Sequence, residues 1–262
     1  KDGNPKTRSD GSIRKKKIKQ KELQIKYDWV GFKKYKRVIN DQEYQDAAKF
    51  TFIYVIVSVV IEIILGLFLA FLFNRRIYGR GFMRSLMILP IFATPFAIGF
   101  MFFTILFEIS GPLAWMGIPF LSNHNWAPFS VMLVDIWQWT PFCFLVFLAA
   151  LQGIPDDLIE AATLDTKSAY KIWTSVILPL LQPIIVLVIL LRVAESAKLY
   201  DYIASLTKGG PGTATQSVSF LVFNKAFKMN DFGYASAGSF LMLIVVMVFV
   251  MLFFTRLRKT YE

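Results

Sequence analysis

Residues that carry out catalysis or bind metals are scarce in this sequence of 262 residues. One Cys cannot form a disulfide framework, and one His cannot build a dedicated metal cluster. The phosphate-binding pattern GxxxxGKS/T is also absent, because the Gly-rich run GGPGTATQS has no Lys before its Ser or Thr. We therefore expect no catalytic residue, no bound metal and no cofactor on this chain, and a membrane enzyme is not indicated.

Positive charge is unevenly placed along the chain. The formal net charge is +11, yet residues 1–37 hold 14 Lys and Arg against 4 acids, whereas the remainder holds 15 against 14. The basic balance therefore belongs to an N-terminal arm, and it does not indicate nucleic-acid binding.

Hydrophobic residues are what this sequence has in excess, since they make up 55% of it and 26 residues are Phe. A helix needs roughly 20 apolar residues to cross the hydrocarbon core of a membrane. The apolar stretches lack strand-like alternation and solvent-facing polar stripes, which argues against a barrel and against a soluble bundle. The sequence thus predicts an all-α polytopic membrane protein with five transmembrane helices, at residues 50–73, 85–107, 127–150, 173–191 and 233–255.

Basic residues at the ends of these spans predict their orientation. They follow the first span at Arg75, Arg76, Arg80 and Arg84, and the last span at Arg256, Arg258 and Lys259. With both clusters in the cytoplasm, residues 151–171 are cytoplasmic too, and the segment 108–126, which has no Lys or Arg, lies outside. Counting one span back from the first basic cluster puts residues 1–49 outside in spite of their positive charge. We expect a further span upstream of Lys1 to explain this.

A short, charged, Ala-rich segment separates the third and fourth spans. In GIPDDLIEAATLD, Pro155 suits the first turn of a helix, and Asp156 and Asp157 favour the positive end of its dipole. The spacing i, i+3, i+4 predicts one shared face for three apolar residues: Leu158, Ala161 and Ala162. This pattern fits two structures equally well, an ordinary interfacial loop or a short helix that offers a small docking surface.

The same segment resembles a known family. EAA at 160–162 and ILP at 177–179 resemble the cytoplasmic signature of permease subunits in ABC importers. Further matches follow the order and spacing of the sugar-importing branch, which includes maltose-type and glycerol-phosphate-type permeases: VGFKKYKRVINDQEY at 30–44, LGLFLAFLFNRRIYGRGFMRSLMILP at 65–90, IWQWTPF at 136–142, LTKGGPGTAT at 206–215 and FGYASA at 232–237. The resemblance extends from about Trp29 to the C-terminus.

This resemblance implies the type I permease fold of ABC importers. Residues 45–262 would form the transmembrane permease domain, and residues 1–44 a basic arm with an extracytoplasmic segment. A coupling helix at about 155–168 would fit a cleft in an ATPase subunit. The residues expected to make that contact are Glu160, Ala161, Ala162, Leu164 and Asp165.

The implied complex lies in the plasma membrane of a prokaryote. It contains a second homologous permease, two ATPase subunits that hold ATP and Mg, and an extracytoplasmic solute-binding protein that delivers a sugar or oligosaccharide. The alternative is an ion- or proton-coupled secondary transporter, which would usually carry inverted repeats and charged relay residues in several spans. No repeat is evident here, and only two spans hold a carboxylate, Glu62 in the first and Asp135 in the third.

One position departs from the pattern of this family. Thr166 stands where the family usually has Gly, which tolerates a left-handed turn better than a β-branched residue does. We therefore expect a different turn after the coupling helix, with Asp165 or Ser168 as the cap of the next helix.

Two groups of residues are candidates for a sugar-binding cavity. The first group shares one face of the third span: Asp135, Gln138, Trp139 and Phe142. Aromatic rings beside hydrogen-bonding groups suit a sugar, but packing against the partner permease explains this face equally well. The second group, Tyr200 and Asp201, occupies positions where the family often has an aromatic residue followed by Asp. Lys198 is predicted to form an ion pair in a solvated helix end.

Other residues are assigned to packing and to turns. Glu62 is predicted to be hydrogen-bonded inside a helix interface, within a stripe of small residues that allows close approach: Ser58, Gly66 and Ala70. Residues 209–212 predict a tight extracytoplasmic turn, and Cys143 is predicted to be buried in apolar surroundings.

Overall fold

The computed structural model describes residues 31–74 and 78–261 of the chain. The predicted basic arm at residues 1–30 lies outside these ranges, as do Arg75 and Arg76 of the first basic cluster. All regular structure in the described ranges is helical, which confirms the predicted all-α class.

Ten α-helices follow one another along the described chain. They are α1 (Lys33–Ile39), α2 (Gln42–Asn74), α3 (Arg80–Ile88), α4 (Pro95–Leu106), α5 (Trp126–Gln152), α6 (Asp156–Asp165), α7 (Ala169–Ile172), α8 (Leu178–Ser196), α9 (Val218–Phe223) and α10 (Phe232–Tyr261). Four helical segments are long and apolar enough to cross a membrane, and each is longer than its predicted span: Gln42–Asn74, Trp126–Gln152, Ala169–Ser196 and Phe232–Thr255.

The second predicted span, residues 85–107, is not one straight helix. Helical segments Gly81–Phe92 and Pro95–Leu106 meet there at an angle of 100°. Pro95 disfavours a helical conformation at Thr94, which is extended with φ −67° and ψ 142°, and the Thr94 side chain caps α4 by accepting from the N–H of Ala97. The prediction of an unbroken helix was therefore wrong at this break.

Helices α2 and α5 run in the same direction. Tyr54 lies beside Asp135 in the first halves of the two helices, and the rings of Phe73 and Phe144 are 5.5 Å apart in their second halves. Because parallel neighbours require the chain between them to return to the other end of the bundle, the bent pair of α3 and α4 acts as one crossing. With the bent pair counted as one span, the described chain has five, as predicted.

Close contact between α2 and α5 depends on the predicted stripe of small residues. Ser58, Gly66 and Ala70 are all buried, and a Cβ added to Gly66 would lie 2.6 Å from the Cβ of Cys143. No side chain fits at that distance, so Gly66 lets the two backbones approach. The packing assigned to this stripe is confirmed, and Cys143 is buried as predicted.

The fourth span extends beyond its predicted bounds of 173–191 at both ends. It begins at Ala169, widens into a π-helical turn at Trp173–Ile177, and continues to Ser196. Pro179 has no N–H to donate one turn back, so the helix widens there instead of ending. The extension at the other end places Arg192 inside the span.

The remaining contacts orient the last two spans. The ring of Trp173 packs 4.9 Å from that of Phe71, near the end of α2, so α8 runs antiparallel to α2. The Tyr44 hydroxyl, near the start of α2, donates to the carbonyl of Gly238 at 3.0 Å, so α10 runs parallel to α2. Helix α6 therefore lies at the same end of the bundle as the C-terminal ends of α2, α5 and α10.

Candidate functional site

Helix α6 presents most of its side chains away from the protein. Ala162 is buried, whereas Leu164 is 89% exposed and Leu158 is 45% exposed. Of the other residues predicted to couple to an ATPase, Glu160, Ala161 and Asp165 are also exposed. Leu158, Ala161 and Ala162 have the predicted i, i+3, i+4 spacing on this helix, and of these three only Ala162 is buried. Two large apolar side chains on a ten-residue helix thus lack cover within the described chain.

The turn after α6 has an extended conformation. Thr166 adopts φ −153° and ψ 138°, a region in which β-branched residues are common, so Gly is not required there. Its hydroxyl accepts from the N–H of Ser168 at 3.3 Å. The Ser168 side chain in turn accepts from the N–H of Lys171 and caps α7. Of the two predicted caps, Ser168 is therefore the one that forms, and Asp165 is the last residue of α6.

Three charged side chains meet in the interior of the bundle. The Nε of Arg192 donates to Glu62 Oε2 at 2.6 Å, and its Nη2 donates to Glu62 Oε1 at 2.8 Å. The same Nη2 lies 3.3 Å from both carboxylate oxygens of Asp135. The exposed fractions of Arg192, Glu62 and Asp135 are only 1%, 0% and 2%. This group, called the charged cluster below, joins α8, α2 and α5.

Sequence reasoning missed Arg192 because the predicted fourth span ended at residue 191. A signal was nevertheless present: two carboxylates inside predicted spans need a cation, and an Arg directly follows an apolar stretch. The prediction that Glu62 is hydrogen-bonded in an interface is confirmed, and its partner is the guanidinium.

Trp139 and Ser196 complete the surroundings of the guanidinium. The Arg192 guanidinium carbon lies 4.6 Å from the centre of the Trp139 ring, which is a cation–π contact. Arg192 Nη2 also donates to the Ser196 hydroxyl at 3.1 Å. The Nε–Nη2 edge of the guanidinium and one of its faces are therefore occupied.

Gln138 takes part in a second buried network. Its Nε2 donates to the carbonyl of Ala93 at 2.8 Å, and that carbonyl lies at the break between α3 and α4. The Tyr202 hydroxyl donates to Gln138 Oε1 at 2.7 Å and accepts from Trp139 Nε1 at 3.1 Å. Burial, with the negative charge of Asp135, raises the pKa of the Tyr202 phenol, so it remains a donor. Gln138 thus satisfies a backbone group that the break leaves without a helical partner.

A cavity of about 260 Å³ opens beside the charged cluster. It is lined by Tyr54, Pro95, Asp135, Trp139, Arg192, Glu195, Ser196, Lys198, Leu199, Tyr200, Asp201 and Tyr202. Asp135, Trp139, Tyr200 and Asp201 are therefore brought together as predicted lining residues. Gln138 and Phe142 are not among the lining residues, and Phe142 instead packs edge-on against the Trp139 ring at 6.1 Å.

The rim of the cavity carries solvent-exposed charges. Lys198 Nζ lies 2.8 Å from Glu195 Oε1, and both side chains are more than half exposed, which confirms the ion pair predicted for Lys198. Asp201 is exposed as well. The cavity therefore combines aromatic rings, hydroxyl groups and carboxylates, which are groups that bind hydroxyl-rich solutes.

The cavity and α6 lie toward opposite ends of the bundle. Asp135 lies nine residues into α5, whereas α6 follows the end of that helix at Gln152. At 1.5 Å per residue, Asp135 is about 25 Å from that end.

Two further features lie at the cavity end. Lys34 and Arg37 of α1 pair with Asp231, at 3.3 and 2.9 Å, just before α10 begins. The backbone N–H of Tyr234 and these two cations hold the pKa of Asp231 below its ordinary value. The predicted turn at residues 209–212 is present, with positive φ at Gly209 and Gly212.

Among the described residues, no group of three or more His, Cys, Asp or Glu side chains is placed to hold a metal ion. His124 is exposed in the loop before α5.

Several apolar crossings, a polar cavity between them and an exposed helix beyond one end define a multi-pass membrane transport component. Residues 62–262 match the family model described as binding-protein-dependent transport system inner membrane component. The chain belongs to this family, whose members are permeases and not enzymes. In ABC importers ATP is hydrolysed by separate subunits.

Similar proteins agree with this assignment. The chain is 36% identical to the trehalose/maltose transport system permease protein MalF of Thermococcus litoralis, over 86% of this chain and 78% of that protein. It is 32% identical to the trehalose transport system permease protein SugA of Mycobacterium tuberculosis, over 86% and 75%. Its fold resembles a chain in the crystal structure of a bacterial ABC transporter that imports the acidic polysaccharide alginate, with a TM-score of 0.80, 22% identity and coverage of 90% and 86%.

Proposed function

We propose that this chain is one of two permease subunits of an importer for a sugar or oligosaccharide, which an extracytoplasmic solute-binding protein delivers. Two ATPase subunits that hold ATP and Mg would drive the cycle. The similar permeases named for trehalose and maltose support the substrate class. Family membership decides against the alternative of an ion-coupled secondary transporter.

The observation that carries this proposal is the exposure of α6. Leu164 is 89% exposed at one end of the bundle, and exposed apolar side chains flanked by charges are typical of a protein-binding surface. We assign to Glu160, Ala161, Ala162, Leu164 and Asp165 the contact with an ATPase, with the buried Ala162 setting the position of the helix. This end of the bundle would be cytoplasmic.

The cavity at the other end would receive the sugar. Trp139 and Tyr200 offer aromatic faces for the C–H faces of a sugar ring, and Asp135 and Asp201 offer acceptors for its hydroxyl groups. Gln138 and Phe142 would act from behind this lining. The second permease would supply the opposite wall.

Rigid helices would couple the two ends. Helix α5 contributes Asp135 and Trp139 to the cavity and leads directly into the segment that holds α6. A displacement of α6 by an ATPase would therefore move α5 and change the cavity. Such coupling requires two states that differ in their contacts at both ends.

Charge reversal on α6 tests this function. Glu160→Lys should leave the assembled complex intact and lower sugar-stimulated ATP hydrolysis at least about tenfold, because a buried interfacial contact of about 1.4 kcal/mol or more would be lost. Asp46→Lys, at an exposed acid on α2 near the other end, is the matched charge reversal. Unchanged sugar-stimulated hydrolysis in the Glu160→Lys complex would count against the proposed contact.

A further inference from the structure

The cavity is lined by a buried arginine, Arg192, whose Nε and Nη2 are both bonded within its own chain. Glu62 accepts two of its hydrogen bonds and Asp135 lies 3.3 Å away, so both carboxylates contact the same guanidinium. The Trp139 ring covers one face at 4.6 Å. An incoming anion would therefore meet a guanidinium whose positive charge is already compensated by two carboxylates.

The net charge of the charged cluster is not positive, whether both carboxyl groups are ionised or one of them is protonated. Two ionised carboxylates with one guanidinium give a net charge of −1, and one protonated carboxyl group gives zero. The rim adds Glu195, Asp201 and Lys198, and the Lys198 ammonium is already paired with Glu195. No cation that lines this cavity is thus without a carboxylate partner.

We propose that Glu62, Asp135 and Arg192 make this cavity selective for uncharged glycans over phosphorylated or uronate-containing ones. Glu62 and Asp135 are the specificity-determining residues, because they neutralise the guanidinium that an anionic sugar would otherwise bind. This inference rests on the proposed function for its substrate class.

The physical reason lies in the free energy of desolvation. A phosphate or carboxylate group loses its hydration on entering a confined site, and proteins compensate for this loss with unpaired Arg or Lys side chains, often in bidentate geometry. Here the bidentate edge of Arg192 is already bound to Glu62. An uncharged sugar needs only hydrogen-bonding groups and aromatic faces, and the lining supplies both.

The electrostatic part of this proposal can be measured by cysteine labelling. Tyr200→Cys introduces a thiol on the cavity lining without changing its formal charge, and the native Cys143 is fully buried. The assembled complex, with its partner subunits free of cysteine, would be treated with two reagents of similar size. Sulfonatoethyl methanethiosulfonate is an anion, and trimethylammonioethyl methanethiosulfonate is a cation. The measured quantity is the labelling rate with the anionic reagent divided by the labelling rate with the cationic reagent. This ratio is normalised to the same ratio measured for a small free thiol.

We expect a normalised ratio below one in the Tyr200→Cys chain. Adding Glu62→Gln and Asp135→Asn leaves the guanidinium as an uncompensated positive charge, and should raise the ratio on the order of tenfold. Adding Arg192→Gln instead should lower it further. Asp46→Asn, which removes an exposed carboxylate from the same helix as Glu62, is the control and should leave the ratio within about twofold of its starting value.

A ratio above one in the Tyr200→Cys chain would overturn the proposal. So would a ratio that does not respond to the two carboxamide substitutions in a complex that elutes intact. If the double substitution prevents assembly, Glu62→Gln alone, which keeps an acceptor for Arg192, must still raise the ratio. The labelling measurement does not depend on transport. If no sugar stimulated ATP hydrolysis by the complex, the proposed function would be refuted, whereas the measured labelling ratios would remain valid.

Discussion

Replacing Arg192 by Met would leave two buried carboxylates without their cation. Removing one partner of a buried ion pair costs about 3–5 kcal/mol, and the cation–π contact with Trp139 adds up to about 2 kcal/mol where it is desolvated. One kcal/mol shifts the Tm of a protein of this size by roughly 2–4 °C. We therefore expect Arg192→Met to lower the unfolding temperature by roughly 10–20 °C.

The measurement is the Tm of the detergent-solubilised complex, followed as loss of the monodisperse peak in size-exclusion chromatography after heating. Glu62→Gln and Asp135→Asn, added to Arg192→Met, should restore most of the lost Tm because no buried charge then remains unpaired. Lys198→Met removes a cation from an exposed ion pair just beyond the same helix, and such pairs contribute about 1 kcal/mol or less. An equal loss of Tm in Arg192→Met and Lys198→Met, or no recovery with the added substitutions, would refute the charge-pairing argument.

Two further predictions concern packing and pH. Gly66→Ala should lower the free energy of unfolding by about 1–3 kcal/mol, because the added methyl group would overpack against Cys143. Adding Cys143→Gly to Gly66→Ala should recover part of this loss. Equal Tm values for Gly66→Ala and the native chain would contradict the assigned contact. The lowered pKa of Asp231 means that its ionised form stabilises the fold. This stabilisation is fully present above the pKa of an unfolded Asp, about 3.9. It is lost as the pH falls through the lower pKa of Asp231 in the folded protein. Asp231→Asn should therefore lower the Tm at pH 7 by an amount that disappears near pH 2, and a constant difference at both pH values would contradict this.

The all-α class and the long apolar helices could be predicted from the sequence because they depend on local composition. An apolar stretch of 20 residues has few alternatives to a membrane helix. In the same way, Pro155 and two acids in the first turn were enough to place α6. The signals that set these elements lie within a few residues of the structure that they determine.

The break in the second span was overlooked although its signal was local. Pro95 follows the bend and disfavours a helical conformation at Thr94, which is extended, whereas Leu89 before Pro90 keeps helical angles. Hydropathy averages over such positions. The partner that makes the break tolerable, Gln138, lies 45 residues away from Ala93, and nothing near either residue predicts that contact.

The charged cluster shows a second limit of sequence reasoning. Glu62 and Arg192 are separated by 130 residues, and their pairing depends on the antiparallel packing of α2 and α8. The sequence predicted buried carboxylates and a cavity face, but not which groups would neutralise them. The cavity lining likewise comes from segments that meet only after folding, including Tyr54, Asp135 and Tyr200.

The central claim is that α6 faces the cytosol and receives the ATPase. A cysteine at Ala161, which is exposed on α6, measures this with a membrane-impermeant maleimide on intact cells. A cysteine at His124, in the loop that the proposed topology places outside, is the matched control. In cells that lack the ATPase subunits, we predict that Ala161→Cys reacts only after the cells are permeabilised, whereas His124→Cys reacts in intact cells. Co-expression of the ATPase subunits should then shield Ala161→Cys in the permeabilised cells. Labelling of Ala161→Cys in intact cells would contradict the proposed topology and the coupling role of α6 with it.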